Sequence, residues 1–281
     1  MEGASVVTND LANVLRRAVL EAEDPLHIVI KGYEARMGLS TAYSLLRQTY
    51  QLVTDMMFEV NKQLLDVRVL LHPDYCNLEQ CKVEPITIGL DLFPKPAPRL
   101  AELRLGQFGT VAIGGTFDHL HSGHKLMLSV AVMLTRKGGK LIVGVTDDDK
   151  MIASKQFKDQ LETCATRSER IDEFLRQFTL PDGISITMTT LNDPFGPTIK
   201  EPGIEALVVS PETLPGAQSS KHLNRKQATL TFLVNLGRIE AGNIPMHLVA
   251  IDLIEINDDE GHTSKLGSTL LRSIVQRGHL K

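Results

Sequence analysis

From residue 109 onward, apolar runs of strand length alternate with runs of helical spacing, and no other feature constrains the fold as strongly. Strands are expected at 109–114, 140–146, 184–190, 205–210 and 246–254, and helices at 123–136, 167–179, 219–236 and 268–277. Such alternation implies a parallel sheet, because successive parallel strands must be joined by crossovers whose helices cover both faces. Upstream, 8–22 and 38–65 read as helices, and 26–30 and 67–71 as strands. This part holds no constellation that suggests chemistry, and it reads as a packing or interaction module. Pro94, Pro96 and Pro98 alternate between the two parts. They exclude helix and internal strand and favour an extended linker. The expected fold is α/β, with a smaller α/β domain over 1–100 and a parallel sheet covered by helices on both faces over 101–281.

Composition excludes several classes. The chain is 42% hydrophobic and 23% charged, as soluble globular proteins are. Its formal net charge of −4 argues against bulk nucleic-acid binding and against adhesion to an anionic membrane. No apolar stretch is long enough to insert in a membrane. Cys76, Cys81 and Cys164 form neither a disulfide framework nor a zinc site and read as reduced thiols. With no secretory signal visible at residues 1–5, a reducing, cytoplasmic setting is expected.

The first strand of the alternating part runs into Gly114-Gly115-Thr116-Phe117-Asp118-His119-Leu120-His121-Ser122-Gly123-His124-Lys125. Two glycines let the backbone approach a ligand. His121 and His124 are three apart where a helix should begin, so both imidazoles share a face. The same turn offers unpaired N–H groups and the positive end of the helix dipole. Together these features suit a polyphosphate, beyond the C-terminal end of a parallel strand where ligands of such sheets bind. The run is neither a dinucleotide fingerprint nor a P-loop. Two readings compete with the phosphate site. One is a metal cluster of His119, His121, His124 and Asp118, which lacks a recognised ligand spacing. The other is a capped helix start with surface histidines.

The His-x-Gly-His element at a strand-to-helix turn resembles the signature of the nucleotidylyltransferase superfamily. The fuller run is similar to that of phosphopantetheine adenylyltransferases of eukaryotic and archaeal type, over most of residues 108–280. Further segments share the resemblance. Leu141 to Asp148 resembles the second strand, which leads to the family's phosphate-contacting lysine; Lys155 is the match and Lys150 the second choice. Glu169 and Arg170 match a structural pair expected to act across the loop. Val208-Val209-Ser210-Pro211-Glu212-Thr213, followed by Gly216-Ala217, is similar to a nucleotide- and pantetheine-pocket segment. Asn224-Arg225 matches an Asn-Arg pair, although Gln227 stands where many relatives have a second arginine. Lys265 to Arg272 resembles the C-terminal phosphate-binding motif, in which Ser268 is a natural N-cap.

The resemblance implies a Rossmann-like domain that joins ATP to 4′-phosphopantetheine, giving dephospho-coenzyme A and pyrophosphate. His124 would contact the α-phosphate, with His121 on the triphosphate beside it. Thr116, Lys155 and Arg225 would hold the phosphopantetheine. Gly114, Gly115, Phe117, Ser210 and Glu212 would border the nucleotide. Ser268, Thr269 and Arg272 would grip the β- and γ-phosphates. Mg²⁺ would accompany ATP, and no resident metal is expected. With no P-loop, no kinase activity on dephospho-coenzyme A is expected. The first domain is left as a site for a protein partner or self-association, or as a support for folding. Alternatives are a cytidylyltransferase for a phosphorylated alcohol, whose C-terminal motif usually reads differently, and a non-catalytic nucleotide sensor of the same fold.

Overall fold

The computed structural model describes residues 2–77, 79, 84–93, 100–147, 152–153, 155–180, 183–193, 195–210, 225–257 and 263–279; of 2–10, 225–232, 257 and 279 it describes the backbone alone. The first unit contains α1 (Glu2–Glu21), β1 (Leu26–Tyr33), α2 (Gly38–Glu59), β2 (Val67–Pro73) and β3 (Ile86–Gly89). Its sheet has the order β2-β1-β3, all parallel. The central β1 buries Ile28, Val29 and Ile30. Covered on both faces, it has a continuous apolar run rather than an alternating one.

α2 turns Leu39, Tyr43, Leu46, Tyr50, Val53 and Met57 inward at helical spacing. It ends at Glu59 rather than near 65, because Asn61 adopts left-handed backbone with φ 58° and closes the helix. β3 has no counterpart among the expected strands. Its four residues are too short a run to stand out, and they become a strand only by pairing with β1.

The second unit contains β4 (Phe108–Gly115), α3 (Ser122–Leu134), β5 (Thr135–Thr146), α4 (Cys164–Leu175), β6 (Ser185–Leu191), β7 (Ala206–Val209), α5 (Arg225–Glu240), β8 (His247–Ala250), β9 (Glu255–Asn257), β10 (Thr263–Lys265) and α6 (Ser268–His279). Five strands form a parallel sheet in the order β6-β5-β4-β7-β8, and β9 and β10 form a separate antiparallel pair. The Rossmann-like parallel sheet is thus present.

Strand alternation divides the apolar side chains between two cores. Val111, Ile113, Leu141, Val143 and Val208 face a cluster that includes Leu126 of α3 and Phe174 of α4. Ala112, Ile142, Leu207 and Val209 face the other cluster with Val234 of α5. One strand expectation is corrected: β8 stops at Ala250, not 254. Its neighbour β7 ends at Val209, so residues beyond it have no ladder to join.

The first core cluster also contains Leu15, Ile28 and Tyr50, so buried apolar packing is continuous across both units. The proline segment on which the boundary near residue 100 rests lies outside the described residues.

Candidate active site

The strand order reverses direction at β4, since β5 and β6 lie to one side and β7 and β8 to the other. A crevice is expected beyond the strand ends at such a switch point. A cavity of about 820 Å³ lies there, lined by Gly114, Gly115, Thr116, Phe117, His121, His124, Lys155, Ser210, Ser268, Thr269 and Arg272 among others. Eleven of the expected residues, distant in sequence, therefore share one wall system. Arg225 opens α5 with its side chain outside the described residues, and Lys150 and Glu212 lie outside them altogether.

The turn between β4 and α3 is strained. Phe117 and His119 both adopt left-handed backbone, with φ of 52° and 47°, a conformation that persists in non-glycine residues only where the surroundings enforce it. Phe117 is buried. The imidazoles of His121 and His124 stack at 3.8 Å with 25° between their planes. The Phe117 ring lies 5.3 Å from that of His124. Gly123 leaves room beside this stack: a Cβ there would sit 3.3 Å from Nδ1 and Cε1 of His121, tighter than an ordinary contact.

Nδ1 of His121 and Nδ1 of His124 are buried and have no hydrogen-bond partner among the described residues. Burial holds both rings neutral. His121 lies well below its ordinary value, through burial and then the neighbouring His124 and Lys125. His124 is held at about 3, where burial outweighs the opposing pull of Asp118, and Lys125 and Lys155 add to the depression. Lys155 is also lowered, first by burial and then by Arg272.

These shifts predict an acid sensitivity. An unfolded histidine titrates near 6.5, whereas His124 resists protonation down to about 3. Between those values the unfolded chain binds more protons, so lowering the pH removes stability at up to about 1.4 kcal/mol per unit per group. The thermal midpoint is expected to fall from pH 7 to pH 5, and to fall less in His124→Gln. An equal fall in both proteins would refute the assignment.

Asp118 organises the rest of the turn, a role its place in the motif did not reveal. It is fully buried. Its Oδ2 accepts from Nη1 of Arg272 at 2.5 Å, and its Oδ1 accepts from the Glu162 N–H at 2.9 Å. Its backbone carbonyl accepts from the Ser268 hydroxyl at 2.8 Å. Arg272 also donates to Gln156 O at 2.9 Å and to Thr269 Oγ1 at 3.0 Å. Three of the five guanidinium N–H groups are thus engaged within the protein. Arg272 lines the cavity chiefly as a strut, with two N–H groups left that no described hydrogen bond uses.

Arg167 is a second strut, fully buried. It donates to Thr116 O at 2.7 Å, Thr146 O at 2.8 Å and Glu162 O at 3.0 Å, tying the ends of β4 and β5 together. Arg170 pairs across the loop with Glu162 at 2.9 Å. The sequence reading missed the wall Ile251 to Ile254, which has no local motif.

A family model described as cytidylyltransferase-like matches residues 112–272, more than half of the chain. The chain belongs to the cytidylyltransferase-like family. Within this cytidylyltransferase-like stretch fall the second half of β4, the histidine turn and Arg272. The chain is 35% identical over 170 residues to a phosphopantetheine adenylyltransferase of Saccharomyces cerevisiae, covering 60% of this chain and 50% of that protein. It therefore spans about half the length of that yeast relative. It is 32% identical over 174 residues to a phosphopantetheine adenylyltransferase of Methanopyrus kandleri, covering 62% of this chain and 95% of that protein. A Pyrobaculum aerophilum protein of the same name is 30% identical over 175 residues, covering 62% of this chain and 97% of the relative. No described helix is long and apolar enough to cross a membrane.

Proposed function

We propose that this chain transfers the adenylyl group of ATP to 4′-phosphopantetheine, forming dephospho-coenzyme A and releasing pyrophosphate. The observation that carries the reading is the stacked, neutral histidine pair that lines a cavity at the switch point of the sheet. The names of the archaeal relatives, matched over nearly their whole length, supply the substrates.

In this reaction a phosphate oxygen of the acceptor attacks the α-phosphorus, and the bond to the β-phosphate bridging oxygen breaks. The acceptor is already anionic near neutral pH, so no general base is required. The barrier lies in bringing two anions together and in the charge that grows on the α-phosphate. Positioning and electrostatics therefore dominate. Neutral imidazoles suit this role, since each ring donates one hydrogen bond without needing a proton from solvent.

His124 is assigned to the α-phosphate, His121 to the triphosphate, and Lys155 and Thr116 to the attacking phosphate. The N–H groups that open α6 at Ser268 and Thr269 receive the departing phosphates, with Arg272 stiffening that turn. Mg²⁺ is assigned to ATP as its accompanying ion. Among the described residues, no three His, Cys, Asp or Glu side chains gather into a metal site.

The decisive experiment crosses ATP and CTP with 4′-phosphopantetheine and phosphocholine and measures pyrophosphate release and the nucleotide product. Turnover with ATP and 4′-phosphopantetheine alone is expected. Preference for CTP would make the chain a cytidylyltransferase, and thermal stabilisation by ATP without turnover would make it a sensor. Lys155→Ala is expected to raise KM for 4′-phosphopantetheine by about tenfold or more, since it removes a charge-assisted contact to phosphate. An unchanged KM and kcat would transfer the role to Lys150.

A further inference from the structure

The archaeal relatives leave more than a third of this chain without a counterpart, as the matches cover 62% of it. The role of the first unit must therefore be read from its contacts with the second. One face of α2, at Tyr43, Arg47, Gln51 and Thr54, meets the back of the cavity. These positions are four, four and three apart and share a side of the helix.

Two walls are held in this way. The first is the start of α3. His121 and His124 face the cavity, while Ser122 and Lys125, also three apart, face the first unit. The Thr54 hydroxyl donates to Ser122 Oγ at 2.9 Å. Lys125 is 2% exposed. Its ammonium donates to Val67 O at 2.8 Å and to Oδ1 of Asp66. Arg68 completes the group, with Nε and Nη2 at 2.9 and 2.7 Å from the other Asp66 oxygen. Burial alone would raise the Asp66 carboxyl, yet Lys125 and Arg68 hold it well below the carboxylate range. A second cavity of about 330 Å³ adjoins the pair, lined by Thr54, Asp66, His121 and Lys125 among others. Packing is incomplete at that point, so the polar bonds take a larger share in fixing the turn.

The second wall is the segment that leaves the sheet after β8. The Tyr43 hydroxyl donates to Asp252 Oδ2 at 2.8 Å and accepts from the Asp252 N–H at 3.0 Å. Gln51 accepts from the Glu255 N–H at 3.0 Å and donates to Glu255 O at 2.7 Å, as a strand neighbour would. Residues Ile251 to Ile254, held by the bonds at Asp252 and Glu255, line the main cavity.

We infer that the first unit is a fixed support for the site, with Asp66 a positioning residue that acts through Lys125 on the histidine turn and Tyr43 one that acts through Asp252 on the opposite wall. The inference rests on the proposed reaction for its kinetic and ATP-binding readouts, and hydrogen exchange is independent of it. Asp66→Asn in the full chain leaves the Lys125 charge buried without its partner. It is expected to lower kcat by about tenfold or more with KM for ATP changed by less than about threefold, because the reacting groups lose alignment rather than contact. Hydrogen exchange over residues 121–130 is expected to rise by about tenfold while residues 141–146 of β5 stay protected. Asp66→Asn combined with Lys125→Met, which replaces the pair by neutral groups, is expected to recover most of kcat.

Tyr43→Phe supplies a milder probe that keeps the packing. It is expected to weaken ATP binding measured by calorimetry by about three- to tenfold, while the thermal midpoint moves by only a few degrees. Unchanged kcat in Asp66→Asn, or exchange rising equally in both segments, would overturn the role of Asp66. Unchanged ATP affinity in Tyr43→Phe would overturn that of the second wall. Should the parent protein show no turnover, the proposed reaction fails; the exchange result still decides the role of Asp66, and calorimetry that of Tyr43 where the parent binds ATP.

Discussion

His124→Ala is expected to lower kcat by about 100-fold or more, with a much smaller change in KM for ATP. The ring lies between His121 and Phe117, with centroids at 3.8 and 5.3 Å, so its orientation is set before any ligand arrives. It is neutral because burial holds it at about 3. Its Nδ1 is buried without a partner among the described residues, so no internal hydrogen bond at that atom turns the ring away from the cavity that His124 lines. A donor fixed in advance favours the transition state over the ground state, where charge on the α-phosphate is smaller. The effect should therefore fall on kcat. Steady-state kinetics with both substrates varied provide the check; near-normal kcat would remove His124 from the chemistry. His124→Gln keeps a donor but loses the stack, and should fall between the two.

Asp118→Ala is expected to destabilise the protein by about 3–5 kcal/mol, the usual cost of leaving a buried charge unpaired. Both partners are inaccessible, with Asp118 at 0% and Arg272 at 2% exposure. The change also strands the Glu162 N–H. For a chain of this size, the thermal midpoint should drop by about 10 °C. Asp118→Asn preserves the shape but not the charge and should lie between. Calorimetric unfolding reads the effect, and a loss under about 1 kcal/mol would mean that Arg272 finds another partner or solvent. Because Asp118 links the histidine turn to the start of α6 through Arg272 and Ser268, the folded fraction should also lose activity. The Asp118–Arg272 pair therefore bears on both stability and alignment.

Local chemistry made much of this legible. Alternating apolar runs in β4, β5 and β7 encode two cores on opposite faces of one sheet, since side chains on a strand alternate sides. The glycines and histidines of 114–124 encode a tight turn into a helix, and this turn lines the main cavity. Boundaries were less legible. α2 ended early at a left-handed asparagine, and β3 became a strand only beside β1.

The amino-acid sequence by itself determined the parallel sheet and the histidine turn beyond β4 that lines the main cavity, because each follows from interactions within one or two elements. Only the tertiary structure decided what the remaining charged groups do. Asp118 and Arg272, 154 positions apart, form a buried strut, and Lys125 and Asp66, 59 apart, form a partly buried one. Tyr43 and Gln51, on a helix with no chemistry of its own, brace a wall more than 200 positions away. A buried charge or hydroxyl must find a partner wherever the chain brings one close, and nothing in its own neighbourhood along the sequence specifies which partner that is.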